Sequence, residues 1–318
     1  MSSGQGNTAV DELAHLYKPA VKDVIKCTHE WLAADKDRSN TTLGNSIGVH
    51  HSTIGRWLRC VYNGNVAEIT AKVHRFLLLE DDRARTAPPP AFAPTAVADK
   101  VQRVLHQCHV EGGLGCVLGP TGVGKSMAAL NYCDLYPDSL YVYVGSLCKT
   151  YSLLRKLCEP LKVRWTQSGD DVLRNIIASL RRQPRLVILD EVDWLPEETL
   201  HAIKQMSDEA GVGVVLLGTE GFLQKLHDRR STTVNQVLGR ITHTEFLDRI
   251  SRDDLGRILE VYGLDDASLE AVVAQCDGEA RRAVNLVRDA KRLNGGSVSP
   301  KLIAAAAKNQ MRKVGATR

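Results

Sequence analysis

Four short apolar runs, at residues 114–118, 140–144, 186–189 and 212–217, punctuate the middle of the chain and are separated by stretches with helical periodicity. In the clearest of those stretches, 170–182, Val172, Leu173, Ile176, Ile177 and Leu180 fall on one face. Short unbroken apolar runs alternating with amphipathic helices predict a parallel α/β sheet buried on both faces. From about Ser251 the strand pattern stops. Ser251 followed three residues later by Asp254 reads as an N-cap, and helices are predicted over 252–262, 267–276, 279–294 and 300–310. No internal repeat is present.

The segment 86–94, TAPPPAFAP, carries four prolines in nine residues, which cannot continue a helix and favour an extended spacer. The predicted organisation is an N-terminal all-α domain over 1–85, a proline-rich linker over 86–98, an α/β core over 99–250 and a helical domain with a basic tail over 251–318. Within the first, TLGNSIGVHHSTIGRWL at 42–58 has the spacing of a helix-turn-helix. Gly44 is small where two helices cross, Ile47 faces the core, Gly48 permits the turn, and Ile54 and Trp57 pack the second helix back on the first. His50, His51, Ser52, Thr53, Gly55, Arg56 and Arg59 are left on or near the outer side, where base edges and phosphates of DNA would lie. The polar face favours DNA as its partner; a protein-docking module or a plain three-helix core has the same spacing and is the alternative.

Composition narrows the class. With 318 residues, 43% apolar and 25% charged, the chain is ordinary globular material for two or three domains. No apolar stretch reaches bilayer length and the N-terminus lacks a basic and apolar leader pattern, which predicts a cytoplasmic protein without a membrane partner. The eight cysteines form no CxxC pair and no metal-ligand spacing with histidine. A formal charge of +4 permits nucleic-acid contact without demanding it.

The chemistry is concentrated at the ends of the apolar runs. Gly119, Pro120, Thr121, Gly122, Val123, Gly124, Lys125 and Ser126 spell a phosphate-binding P-loop directly after the first run. Its glycines let backbone N–H groups close around phosphate oxygens at a helix N-terminus, Lys125 reaches the β/γ-phosphates, and Ser126 offers its hydroxyl to Mg²⁺. The third run ends in Asp190 and Glu191, on a strand expected beside the P-loop. Asp190 is the candidate for holding the metal with Ser126, and Glu191 for polarising the attacking water. ATP or GTP with Mg²⁺ is the implied ligand. The fourth run ends near Thr219, a candidate γ-phosphate sensor. Arg281, near the start of a predicted helix, sits where the macrodipole disfavours a cation, which argues for a functional reason.

These features in this order resemble an AAA+ ATPase: a P-loop parallel-sheet core, an acidic strand end, a polar sensor, a helical lid and an arginine in GEAR. The resemblance implies ATP held between core and lid, and a site completed by an arginine from a neighbouring subunit. Arg240 is the foremost candidate for that finger, with Arg229 and Arg230 as rivals. With the helix-turn-helix and proline linker added, the whole chain resembles the family of phage Mu transposition protein B and TnsC. That family implies a homo-oligomeric filament on duplex DNA with little sequence preference, activation of a transposase, and disassembly on hydrolysis. Lys149, Thr150, Tyr151, Arg155 and Lys156 are then candidates for neutralising duplex phosphates, and Lys301, Lys308, Arg312, Lys313 and Arg318 form a second basic region. Thr219 stands where relatives often carry Asn. The four-residue DEVD also looks like a helicase box, but no further helicase motif accompanies it. Two other readings stay open: a helicase loader or replication initiator of the same superfamily, and a helix-turn-helix transcription regulator with ATP as a mere ligand.

Overall fold

A computed structural model describes residues 18–85, 90–229, 232–293 and 297–315. The chain divides into two compact units, Met1–Ala87 and Pro88–Arg318. In the first, the described helices are α1 (Pro19–Ala33), α2 (Asn40–Ile47), α3 (His51–Leu58) and α4 (Val66–Arg85). They enclose Ile25, Leu43, Ile54, Trp57, Leu58, Val66, Ile69 and Val73, with Ile47 packed at the edge of that core. The α2–α3 pair is set by local chemistry. Ser39 and Thr42 form a reciprocal capping box at the start of α2, and Gly48 ends it in the left-handed region at φ 68°. A Cβ on Gly44 would stand 2.4 Å from the Val49 carbonyl oxygen, so the two helices cross at a distance only glycine allows.

In the second unit a five-stranded sheet has the order β2-β3-β4-β1-β5. The strands are β1 (Gly113–Leu118), β2 (Ser139–Tyr143), β3 (Leu186–Asp190), β4 (Gly213–Gly218) and β5 (Ile241–Phe246), and every pairing is parallel. β3 and β4 are buried at every position, as continuous apolar runs require. The strands are joined through α5 (Ala96–Glu111), which precedes β1, then α6 (Lys125–Leu135), α7 (Thr150–Cys158), α8 (Gly169–Arg182), α9 (Glu197–Ala210), α10 (Glu220–Arg229) and α11 (Thr232–Leu238). Leu114, Cys116, Leu140, Val142, Val187, Leu189, Val214 and Leu216 share one core with the apolar faces of α7, α8 and α9. Alternation along the strands turns Gly115 the other way, where a Cβ would meet Cys108 and Val104 of α5. Four helices follow the sheet: α12 (Arg252–Leu259), α13 (Asp266–Cys276), α14 (Ala280–Leu293) and α15 (Pro300–Gly315). Ser251 caps α12 by accepting from the Asp254 N–H. None of the described helices is long and apolar enough to cross a membrane.

Three departures from the sequence reading stand out. β5 was not among the predicted strands, because ITHTEF alternates half-buried and exposed positions at the sheet edge rather than forming an apolar run. The acidic strand β3 does not neighbour the P-loop strand β1; β4 is inserted between them. The first helix of the second unit starts at Ala96, capped by Thr95, inside the span expected as linker.

The close crossing of α2 and α3 makes a sharp prediction. Gly44→Ala should destabilise the helix pair by about 1–3 kcal/mol through overpacking against backbone. Hydrogen–deuterium exchange should then show faster exchange across 40–58 with the sheet amides of the second unit unchanged.

Candidate nucleotide and DNA sites

Because all five strands run the same way, Leu118, Tyr143, Asp190, Gly218 and Phe246 finish at one edge of the sheet. The loop Gly119–Gly124 crosses that edge. Gly119 N–H donates to the Gly218 carbonyl at 3.2 Å, which fastens the loop's first residue to the end of β4. Gly122 (φ 76°) and Gly124 (φ 106°) occupy backbone regions that favour glycine, and Gly124 leads directly into α6. Such a loop at a helix N-terminus presents backbone N–H groups to an anion.

Lys125 folds over its own loop, donating to the carbonyls of Gly119 at 2.7 Å and Pro120 at 2.8 Å. Burial lowers its pKa from the ordinary lysine value, opposed by the carboxylates of Asp190 and Asp193 and, more weakly, Glu191, while Arg281 adds to the lowering. The charges of Asp190, Asp193, Glu191 and Arg281 therefore all act on the Lys125 ammonium. Asp190 is only 2% exposed. Its Oδ1 accepts from the Glu191 N–H at 2.8 Å and its Oδ2 from the Tyr141 hydroxyl at 2.5 Å. Glu191 itself is exposed and held in the left-handed region at φ 58°, with Oε2 accepting from the Tyr143 hydroxyl at 2.7 Å. That bond, with the Glu191 charge behind it, raises the Tyr143 pKa.

Thr219 follows β4, its N–H donating to both Asp193 carboxylate oxygens at 3.1 and 3.2 Å and its hydroxyl to Asp193 Oδ1. The sensor candidate is thus tied to the fourth residue of DEVD. Arg281 lies at the start of α14, where its N–H donates to the Gly122 carbonyl at 3.2 Å. The segment before it is braced by Arg249, which donates to the Asp277 carbonyl and pairs with the Asp277 carboxylate. Arg240 stands apart, in the turn leading into β5 at the opposite edge of the sheet, 3.6 Å from Asp208. The side chain of Arg229 and the whole of Arg230 lie outside the described residues, as do the side chains of Arg312 and Lys313 and the whole of Arg318.

The residues fit a magnesium nucleotide. The glycine-rich loop at a helix N-terminus carries a half-buried lysine folded onto it, and a buried carboxylate with a nearby serine hydroxyl supplies oxygen donors of the kind Mg²⁺ takes. Sequence reasoning missed Tyr141, Tyr143 and Asp193. Only Asp193 carried a local signal, its place in DEVD; the tyrosines act across strands.

The outer basic candidates are split. Lys149, Tyr151 and Arg155 are exposed, with Tyr151 packing near Trp165 at 6.2 Å between ring centroids. Thr150 is turned inward, its hydroxyl 2.9 Å from that of Thr199. Lys156 donates to the Tyr143 carbonyl at 2.6 Å and is bound to the sheet edge rather than free. In the N-terminal unit, His51, Ser52, Gly55, Arg56 and Arg59 line one open groove of about 670 Å³ together with His29 and Asn40. His50 caps α3 by accepting from the Ser52 N–H, and Thr53 is half-buried on the same helix.

The AAA domain family matches residues 108–226. The chain is 24% identical over 237 residues to the Mu-like prophage FluMu DNA transposition protein B of Haemophilus influenzae, spanning 73% of this chain and 83% of that protein. It is 23% identical over 245 residues to the ATP-dependent target DNA activator B of Escherichia phage Mu, spanning 74% and 77%. Among solved structures, Aeropyrum pernix ORC1 in complex with DNA has a TM-score of 0.55 at 20% identity, over 71% of this chain and 69% of that one. At that identity the likeness shows the fold alone.

The Asp193–Thr219 tie can be separated from nucleotide binding. Asp193→Asn should lower nucleotide hydrolysis about tenfold while leaving nucleotide Kd within about threefold, the pattern of an interaction needed only in the transition state. Steady-state turnover beside equilibrium binding of a fluorescent ATP analogue measures both.

Proposed function

Because the chain is a distant homologue of transposition protein B with an AAA ATPase core, we propose that it is an ATP-dependent DNA-binding protein of transposition. In this reading it assembles as a homo-oligomeric filament on target duplex with little sequence preference, activates a transposase, and leaves the DNA when ATP is hydrolysed. The observation that carries the reading is the glycine-rich loop at the start of α6, with Lys125 folded onto it, the Arg281 N–H bonded to its Gly122 carbonyl, and Asp190 at the end of β3 on the same edge of the sheet. In it the P-loop amides and Lys125 bind the phosphates, and Ser126 and Asp190 hold Mg²⁺. Glu191 polarises the attacking water, Thr219 senses the γ-phosphate, and Arg281 reports nucleotide to the helices behind it. Arg240, exposed in the turn before β5, completes the site of an adjoining subunit.

Two DNA surfaces are proposed: the Lys149–Tyr151–Arg155 face for duplex phosphates within the filament, and the groove of α3 for a second DNA contact. The Phage Mu relative is described as a target DNA activator, and the exposed arginines of this groove agree with a comparable partner here.

Electron microscopy with long random duplex and a slowly hydrolysed ATP analogue tests the assembly. Filaments are expected from the unaltered protein and none from Lys125→Ala. Glu191→Gln should retain filaments while hydrolysing at least about a hundredfold more slowly, the usual range for losing a general base. Discrete operator-sized complexes would instead favour a transcription regulator. For the groove, replacing Arg56 and Arg59 together by Ala should flatten the plot of log affinity against log salt by about 2, one unit for each lost phosphate contact. Fluorescence anisotropy from low to moderate salt reads that slope, and an unchanged slope removes these residues from the DNA interface.

A further inference from the structure

We propose that Tyr141 is a positioning residue for the divalent cation of the nucleotide site, its hydroxyl holding Asp190 in the orientation in which the carboxylate serves the metal. This rests on the magnesium-nucleotide reading above. The strand register makes the contact: Tyr141 pairs with Ile188 and Tyr143 with Asp190, so Tyr141, Tyr143 and Asp190 rise from one face of neighbouring parallel strands. From there the Tyr141 phenol reaches diagonally to Asp190 Oδ2 at 2.5 Å, with the Ser126 side chain near the same hydroxyl.

The alternative is that Tyr141 merely fills space beside the sheet. Two features argue against it. A carboxylate this deeply buried has its Oδ1 engaged by the Glu191 N–H, and the Tyr141 hydroxyl is the partner of its Oδ2. Moreover, Tyr143 makes the equivalent bond to Glu191, so consecutive carboxylates are each gripped by a tyrosine from β2. Supporting hydrogen bonds of this kind to a metal-binding carboxylate are commonly worth ten- to hundredfold in metal affinity.

The test is Tyr141→Phe in the full-length chain, with Tyr143→Phe as a control that removes a hydroxyl from the same face. Binding of a fluorescent ATP analogue is titrated against free Mg²⁺, and Mn²⁺ binding in the presence of nucleotide is followed by electron paramagnetic resonance. The expected result is a half-saturating Mg²⁺ concentration raised about tenfold or more in Tyr141→Phe. Nucleotide affinity in EDTA should stay within about twofold, thermal unfolding in EDTA should be unchanged, and Tyr143→Phe should keep the original Mg²⁺ requirement. An unshifted Mg²⁺ requirement in Tyr141→Phe overturns the inference, as does an equal shift in both variants or a loss of melting temperature in EDTA that marks a purely structural role. If the unaltered protein binds nucleotide without any dependence on Mg²⁺, the site reading falls and the inference with it. A Mg²⁺ dependence shared alike by the unaltered protein and Tyr141→Phe sinks the inference alone.

Discussion

An ionised carboxylate enclosed by protein is tolerated only where fixed donors and an opposite charge replace its water, and Asp190 imposes that demand on everything near it. Desolvating such a group costs several kcal/mol, more than the net gain from any single hydrogen bond. The requirement is met from three directions: the Glu191 amide from its own chain, the Tyr141 phenol from β2, and the Lys125 ammonium across the edge of the sheet. The lysine pays a reciprocal penalty, its charged form weakened by burial and sustained by the acids around it. Parallel strand direction is what allows the arrangement, since it delivers the ends of β1, β3 and β4 to one line.

A second tier of contacts connects that charged cluster to mobile chemistry. Asp193 leaves the buried pair to hold Thr219, so the end of β4 and the turn after β3 behave as one piece. Gly119 joins that piece through its bond to Gly218. Glu191, by contrast, is exposed and restrained chiefly by Tyr143, whose carbonyl also receives Lys156. Asp190 and Glu191 are adjacent in sequence yet differ sharply in freedom. One is a fixed part of the framework, and the other can change partner at the cost of a single hydrogen bond.

Much of this was legible in the amino-acid sequence. The P-loop pattern could be read because it is local: its glycines, Lys125 and Ser126 lie within eight consecutive residues. The strands β1, β3 and β4 could be read because burial on both faces demands uninterrupted apolar residues, and β2, although an edge strand, keeps an unbroken run of apolar and aromatic residues. β5 escaped because an edge strand has one free side and a mixed pattern, ITHTEF, that resembles a loop. The tyrosines of β2 escaped for a different reason. Tyr141 and Tyr143 gain their meaning from register against residues 47 to 49 positions away, and no motif in β2 announces which strand it will pair with. Strand order posed the same difficulty: the apolar runs implied a parallel sheet without saying that β4 would separate β1 from β3. The helix-turn-helix lay between these cases, since Gly44 and Gly48 mark a close crossing and a turn in the local chain.

The link between Arg281 and Gly122 runs from main chain to main chain. The Arg281 side chain takes no part in that bond, so its replacement leaves the donor in place, whereas Gly122, at φ 76°, is held to glycine by its own backbone. One end of the contact thus tolerates nearly any side chain and the other almost none.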